Sequence, residues 1–222
     1  MMFSKKITIG VLFMLIAVCN LKAQQHLDPE YIKVTVERAS KIVGKMDLNS
    51  EKANVITQII AKQYQNLSKL HDARDAKVEA IKTKGLVDLK EEKKITKAKE
   101  KSVKKISKLH KSYINQLDKH LSESQIDAVK DGMTYGVLPK TYAAFLEMIP
   151  SLTEPQKKYI YDNLEEAREH AIDGGSSKEK HAWFGKYKGR INNYLSAEGY
   201  DLEKERDGWY KRIEDEKKKS KK

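Results

Sequence analysis

Residues 55–81 read VITQIIAKQYQNLSKLHDARDAKVEAI. Apolar side chains recur in this stretch at intervals of three and four residues, namely Ile56, Ile59, Ile60, Leu67, Leu70, Val78 and Ile81. This spacing places them on one face of an α-helix, and Lys84-Gly85 then interrupts the pattern. A second series follows at Leu89, Ile95, Val103, Ile106, Leu109, Tyr113 and Leu117. The two series predict a long antiparallel, Lys-rich helical hairpin over about residues 50–120.

The composition of the whole chain also favours helices. Eleven Gly and four Pro among 222 residues are too few for a β-sandwich or a collagen-like chain, and 34% of the residues are charged. The length suffices for one compact domain with an extension. We therefore expect a single all-α domain, a helical bundle, over residues 24–210. Residues 121–210 are expected to form its main, C-terminal helical core, and residues 211–222 a basic tail whose last six residues, 217–222, are frayed.

Six helix starts are marked by residues that favour the N-cap position. They are Asp28, Asn49, Ser122, Thr153, Ser176 and Asp201. In LSESQ (121–125) and LTEPQ (152–156), a Gln three residues after the cap is typical of a capping box. Two of the predicted helices cover about residues 153–173 and 177–197, with Gly174-Gly175 between them and Gly199 after the second.

The first 23 residues have the pattern of a signal peptide. Lys5 and Lys6 precede an apolar run at residues 7–18, which is too short to span a membrane, and Ala23 offers a cleavage site. We expect cleavage after Ala23 and a periplasmic or secreted protein. Cys19, the only cysteine, follows a valine, which disfavours a lipoprotein. The mature chain then has no disulfide, thiolate metal site or Cys nucleophile.

The charge is strongly basic, with 44 Lys and Arg against 32 Asp and Glu, and 38 of the basic residues are Lys. A preference for Lys over Arg disfavours sequence-specific nucleic-acid binding, and an exported chain seldom meets chromosomal DNA. Between Lys90 and Lys111 there are ten Lys and three Glu. This segment is either a solvated face or an electrostatic docking arm for a polyanionic glycan or another envelope surface.

Residues 173–195, DGGSSKEKHAWFGKYKGRINNYL, are the richest in functional side chains. On a helix, aromatic rings, an Arg and two amides would share adjoining faces, and the candidate ligand-binding residues are Trp183, Tyr187, Arg190, Asn192, Asn193 and Tyr194. Rings can cover the apolar face of a sugar, while Arg and Asn donate to hydroxyls or carboxylates. The alternative is that these aromatics pack in the core. Gly185 and Gly189 predict a close approach by another helix or a ligand.

Catalysis is the less supported interpretation of the same segment. His181 with Glu179 or Asp173 would provide general acid and base groups, and Tyr187 or Lys180 would assist proton abstraction from a uronic acid, as in a polysaccharide lyase. Such spacing is common by chance. The histidines show no metal-ligand spacing and no nucleotide-binding loop occurs, so we expect neither a metal nor a cofactor.

Three stretches carry a resemblance to a known family: MTYGVL (133–138), LEEARE (164–169), and residues 175–195 followed by GYDL (199–202). On these residues the chain resembles the DUF3826 family, small exported proteins found mainly in Bacteroidetes and lacking an assigned activity. The resemblance implies an envelope location. Because family members are often encoded beside polysaccharide-degradation genes, it also implies a role in glycan use, but it supplies no catalytic residues.

The helix starts at residues 48–52, 121–125 and 152–156 also resemble the LTxxQ periplasmic helical proteins. These are stress-related chaperones that hold unfolded clients on a basic, concave surface. The sequence therefore predicts an exported accessory protein that binds glycan or another envelope ligand. A periplasmic chaperone for protein clients is the first alternative, and a polysaccharide-active enzyme using the His181 region is the second.

Overall fold

The computed structural model describes residues 27–85 and 87–219, which form eight α-helices and no strand. The helices are α1 (Pro29–Val43), α2 (Ser50–Lys82), α3 (Asp88–Asp118), α4 (Glu123–Met133), α5 (Val137–Met148), α6 (Glu154–Ala171), α7 (Ser177–Ala197) and α8 (Leu202–Lys219). The predicted all-α fold is confirmed. The predicted signal peptide lies outside the described residues.

Local capping explains where the helices begin. Asn49 Oδ1 accepts from the Lys52 backbone N–H at 2.9 Å, and Asp201 Oδ1 accepts from the backbone N–H groups of residues 203 and 204. Ser122 and Gln125 exchange the two hydrogen bonds of a capping box, at 3.1 and 3.3 Å. All six N-cap positions expected from the sequence are helix starts in the structure.

The two longest helices, α2 and α3, have 33 and 31 residues and pack against each other. Each is about 50 Å long at a rise of about 1.5 Å per residue. Burial is concentrated near the rest of the molecule, where Ile56, Ile60 and Leu117 are almost fully buried. Towards the connection between α2 and α3, no residue from 72 to 80 is buried. Most of that end of the pair is therefore exposed to solvent.

Two hydrophobic clusters form the core instead of one. The first combines α1 to α4 and includes Ile60, Leu117 and Met133, while the second combines α5 to α7 and includes Leu164 and Phe184. The structure thus differs from the expectation that residues 121–210 hold the main core. The reason is that the apolar residues Ile126, Val129 and Met133 of α4 belong to the first cluster, and the Tyr113 hydroxyl of α3 donates to the Met133 sulfur at 3.2 Å.

A buried arginine connects the two clusters. Arg168, on α6, is 1% exposed and donates to Asp127 at 2.6 Å and to Asp131 at 3.0 Å, both on α4. A guanidinium at this depth requires carboxylate partners, because an unpaired buried charge is strongly destabilising. The ion pairs therefore fix the position of α6 relative to α4.

The C-terminal helix packs on the end of α5. Arg212 donates to the backbone oxygens of Glu147 and Met148 at 2.8 and 3.1 Å, and a cation at a helix C-terminus is favourable. The predicted basic tail is helical from residue 211 to Lys219 as part of α8, whereas fraying was expected from Lys217 onward. Within the described residues, no helix combines the length and apolar character needed to cross a membrane.

Candidate functional site

The connection between α6 and α7 separates two cavities, and Gly174 contributes to the wall of both. We call the first, of about 760 Å³, the basic cavity; it lies between α1, α2, the α4–α5 connection and the start of α7. We call the second, of about 770 Å³, the Trp183 cavity; it lies between α3 and the α6–α7 pair. Both volumes are in the usual range for small-molecule sites.

Cationic side chains dominate the basic cavity. Its lining includes five of them, Arg38, Lys41, Lys45, Lys140 and Lys180. The one carboxylate in the lining is that of Asp131, which Arg168 neutralises at 3.0 Å. The cavity therefore carries a positive potential that favours an anionic ligand.

Two of these cations, Arg38 and Lys41, belong to α1, and Lys45 lies just after its end. Arg38 and Lys41 are three residues apart, which places them on one side of the helix, and Lys45 follows the C-cap residue Gly44. All three are exposed at the cavity, and none makes an ion pair with any residue that the structure describes. Their charges are thus available to a ligand. The sequence prediction missed them, and no motif in residues 38–45 marks them.

Lys180 forms the floor of the basic cavity. It is 5% exposed, and its Nζ donates to the backbone oxygens of Met133 at 3.0 Å and Ile172 at 3.5 Å. These carbonyls lie at the C-terminal ends of α4 and α6, where a cation is favourable. Burial lowers the pKa of Lys180 to about 8. At neutral pH the side chain is therefore still mostly charged and adds to the potential of the cavity.

Tyrosines supply the aromatic part of the basic cavity. Burial raises the pKa of Tyr64 to about 12, so its phenol stays neutral. Tyr135, in the α4–α5 connection, has φ +63° and is 51% exposed. A non-glycine residue in this left-handed conformation costs about 1–2 kcal/mol. Its ring stacks on His181 with centroids 5.7 Å apart and an interplanar angle of 13°, which gives an exposed aromatic surface beside the cations.

The Trp183 cavity is more apolar. Val103 and Ile106 of α3 face Ala182 and Trp183 of α7 across it. The Trp183 ring stacks on His170 with centroids 4.3 Å apart, and Lys186 Nζ lies 5.2 Å from the indole centroid. Side chains of the protein itself therefore cover much of the indole surface.

A polar network holds α2 against the α6–α7 connection at this second cavity. Arg74 Nη1 lies 2.9 Å from His71 Nδ1, and His71 Nε2 lies 2.8 Å from the Asp173 backbone oxygen. Because arginine only donates, Nδ1 of His71 accepts and its Nε2–H donates to the carbonyl. This pairing fixes the tautomer of His71 and occupies both ring nitrogens.

His110 belongs to a second ion-pair group in the Trp183 cavity. Its Nδ1 lies 2.9 Å from Asp173 Oδ2, and its Nε2 lies 3.6 Å from a Glu169 carboxylate oxygen. The hydrogen bond to Asp173 is the main cause that raises the pKa of His110. Glu169 also accepts from Lys130 at 2.7 Å. Asp173 is thus engaged by His110 of α3, and it is not the partner of His181 that the sequence suggested.

The three predicted catalytic residues have different surroundings. His181 is exposed and stacks on Tyr135 at the basic cavity. Glu179 accepts from the Gly175 backbone N–H at 2.8 Å and from Arg74 at 3.4 Å, at the Trp183 cavity. Tyr187 is 2% exposed in the second hydrophobic cluster. The structure does not bring these three side chains together.

The predicted ligand-binding face is also divided. Trp183 lines a cavity, whereas Tyr187 is buried in the second cluster. Arg190 lies 4.5 Å from the Tyr187 ring centroid and pairs with Glu166 at 3.3 Å.

The end of this face is equally remote from the cavities. Tyr194 stacks on Tyr159 with centroids 3.9 Å apart. Asn192 and Asn193 are exposed and make no side-chain hydrogen bond with the described residues. Of the six predicted ligand-binding residues, Trp183 alone lines one of the two large cavities.

Glycine packing also differs from expectation. An added Cβ at Gly185 or Gly189 would meet no described atom of the protein within 4 Å, so the prediction that another helix approaches there was wrong. The close approaches are at Gly132, where the Cβ would lie 2.7 Å from Ile42 Cγ2, and at Gly175, where it would lie 2.7 Å from His71 Cγ. Gly175 therefore lets the His71 ring pack directly against the wall between the cavities.

In the described part of the chain, no group of three or more His, Cys, Asp or Glu residues is arranged to hold a metal ion.

These features define an all-α protein in which a basic, tyrosine-lined cavity lies beside a more apolar one. The model of the DUF3826 family, described as a protein of unknown function, matches residues 32–215, and the chain belongs to this family. The resemblance noted from the sequence is thereby confirmed. A comparison with curated proteins found no match.

Proposed function

We propose that the protein is an exported accessory protein that binds an acidic saccharide in the basic cavity. The observation that carries the proposal is a set of three cations in and just after α1, Arg38, Lys41 and Lys45, which line a 760 Å³ cavity without a carboxylate partner among the described residues. Cations that are not neutralised by the protein attract an anionic ligand and fix its orientation.

The chemistry of the lining favours a saccharide among anions. The planar guanidinium of Arg38 suits bidentate binding of a carboxylate, and lysines add point charges around it. The exposed Tyr135 ring, supported by His181, offers a flat apolar surface for a pyranose ring. A sugar acid combines both requirements in one ligand.

Export is supported by the sequence of the first 23 residues. Lys5 and Lys6, the apolar run at residues 7–18 and Ala23 follow the order of a secretory signal. An extracytoplasmic location would bring the protein into contact with polysaccharides and not with nucleic acids.

The two alternative functions lack comparable support. The LTxxQ-like segments at residues 121–125 and 152–156 form local capping boxes, and this role accounts for the similarity to the chaperones. The enzyme alternative pairs His181 with Glu179 or Asp173 and with Tyr187 or Lys180. Glu179 and Asp173 are engaged at the Trp183 cavity, Tyr187 is buried in the second cluster, and Lys180 Nζ donates to two backbone carbonyls.

Isothermal titration calorimetry of the chain from Gln24 tests the proposal. The titrants are a short galacturonate oligomer and a neutral galactose oligomer of equal length. We expect binding of the acidic oligomer, weakened by added salt because exposed charges are screened beyond about 10 Å at 0.1 M. An Arg38→Gln, Lys41→Gln variant should lose about tenfold or more in affinity, since one charge-assisted hydrogen bond is worth about 1.5–3 kcal/mol.

The matched control is Lys33→Gln. Lys33 is exposed on the same helix but does not line the cavity, so its neutralisation should leave the affinity unchanged. Circular dichroism checks that each variant is folded. Equal affinity for the acidic and neutral oligomers, or undiminished affinity in the double variant, would contradict the proposal.

A further inference from the structure

Seven lysines form a continuous row along α3. They are separated alternately by four and three residues, and we call them the α3 lysine ridge. The ridge consists of Lys90, Lys94, Lys97, Lys101, Lys104, Lys108 and Lys111. Four-and-three spacing keeps side chains on one side of a helix. All seven are exposed, so the row faces solvent along its whole length.

The ridge is not neutralised by the protein. None of its lysines makes an ion pair with a residue in the described ranges. Glu91 and Glu92 point away from the ridge by helical periodicity, and Glu100 lies at its edge. Like charges spaced by three or four residues repel one another and destabilise a helix. The ridge therefore has no stabilising role in the fold that would explain it.

The geometry of the ridge suits a long, thin ligand. It runs about 32 Å at a rise of about 1.5 Å per residue, with one charge about every 5 Å. A chain of acidic sugars carries one charge per ring, and a pyranose ring is similar in length to this interval. From this match we propose that the α3 lysine ridge binds an extended acidic polysaccharide chain. The choice of sugar acids as the ligand class rests on the proposed function, but the ridge is a separate surface from the basic cavity.

Other polyanions fit the ridge less well. A helix that adsorbs to anionic lipid needs a continuous apolar face beside its cations, whereas, among the residues that the structure describes, the large apolar side chains that α3 exposes are Leu89 and Val103 alone, 14 residues apart. Single-stranded nucleic acids are bound through aromatic stacking and Arg, and the ridge has no aromatic residue while α3 has no Arg. A polysaccharide needs only the line of charge.

The test compares a long polygalacturonate with the short oligomer, using the chain from Gln24. The ridge variant combines Lys97→Gln, Lys101→Gln, Lys104→Gln and Lys108→Gln, because Gln preserves helix propensity. We expect its affinity for the polymer to fall about tenfold or more and its salt dependence to weaken, as fewer counterions are released. Its affinity for the oligomer should not change. The control variant removes four exposed charges elsewhere, with Lys33→Gln, Lys62→Gln, Lys204→Gln and Lys211→Gln.

The outcomes separate the two proposals. If the oligomer does not bind the wild-type chain but polymer binding still depends on the ridge, the cavity proposal fails and the ridge proposal stands. If the control variant loses as much polymer affinity as the ridge variant, net charge explains binding and the ridge proposal is overturned. It is also overturned if the wild type does not bind the polymer. Binding to anionic vesicles or single-stranded DNA as tight as to the polymer, with the same ridge dependence, would equally overturn it.

Discussion

Replacing Gly175 with alanine tests the packing between the two cavities. The new Cβ would lie 2.7 Å from His71 Cγ and 2.8 Å from His71 Cδ2, well inside van der Waals contact. The His71 ring cannot move away freely, because it is hydrogen-bonded to the Asp173 backbone oxygen at 2.8 Å and to the Arg74 guanidinium at 2.9 Å. Relief of the clash must therefore break at least one of these hydrogen bonds or displace the α6–α7 connection.

The expected loss follows from three contributions. Overpacking costs about 1–3 kcal/mol. Loss of one hydrogen bond adds about 0.5–1.5 kcal/mol. Alanine lowers the conformational entropy of the unfolded chain relative to glycine, and this stabilises the folded state by about 0.4–1 kcal/mol. We therefore expect Gly175→Ala to lower the free energy of unfolding by about 2 kcal/mol, a value that urea denaturation followed by circular dichroism measures directly.

Gly185→Ala is the matched control. It adds the same methyl group to a neighbouring segment, inside α7, where nothing lies within 4 Å. Helix propensity should then raise the free energy of unfolding by about 1 kcal/mol. A double-mutant cycle isolates the contact, since in a His71→Ala background the Gly175→Ala change should cost less than about 0.5 kcal/mol. An equal loss with and without the His71 ring would refute the reasoning.

Three further substitutions have defined outcomes. Arg168→Met should lower the free energy of unfolding by about 3 kcal/mol, because it leaves Asp127 and Asp131 without their cation; a loss below about 1 kcal/mol in urea denaturation would show the ion pairs to be dispensable. Tyr135→Gly should raise the free energy of unfolding by about 1 kcal/mol, because glycine removes the strain of the left-handed backbone conformation. It should also weaken the binding of the acidic oligomer in calorimetry. A variant in which stability and affinity both rise, or both fall, would contradict this. Lys180 has a pKa of about 8 in the native state and 10.5 when unfolded, so the unfolded chain holds more protons between these values and stability rises with pH there. Relative to Lys180→Met, the free energy of unfolding of the wild type should rise by about 2 kcal/mol between pH 7.5 and 9.5. If the free energies of unfolding of the two proteins change with pH in parallel, Lys180 is not a buried ammonium with a lowered pKa.

The helices were predictable because their determinants are local. A cap such as Ser122 with Gln125 acts within one turn, and the apolar spacing that begins at Val55 defines a helix without reference to any partner. Gly199, expected to end α7, has φ +94°, which favours glycine.

The faces of the helices were less predictable because they depend on neighbours. Trp183 and Tyr187 lie on one side of α7 as their spacing indicated, but that side packs towards α6, and Tyr187 is consequently buried. Periodicity tells which residues share a side; it does not tell whether that side meets solvent or another helix.

The basic cavity was missed for a related reason. The segment containing Arg38, Lys41 and Lys45 is unremarkable in composition, and it forms part of a cavity only because the connection carrying Tyr135 and the start of α7 lie opposite it. Burial of Lys180 likewise follows from the packing of three helices. Such sites arise from contacts between distant parts of the chain, and one sequence does not reveal them.

The link between the two hydrophobic clusters has a consequence for how the molecule unfolds. Ile172 follows α6 in the chain but packs in the first cluster, and Arg168 of α6 is held by carboxylates of α4. A cut in the α4–α5 connection would therefore leave one fragment with an open apolar surface and the other with an isolated guanidinium. Neither half is an autonomous folding module, and the two clusters should melt together as one cooperative unit.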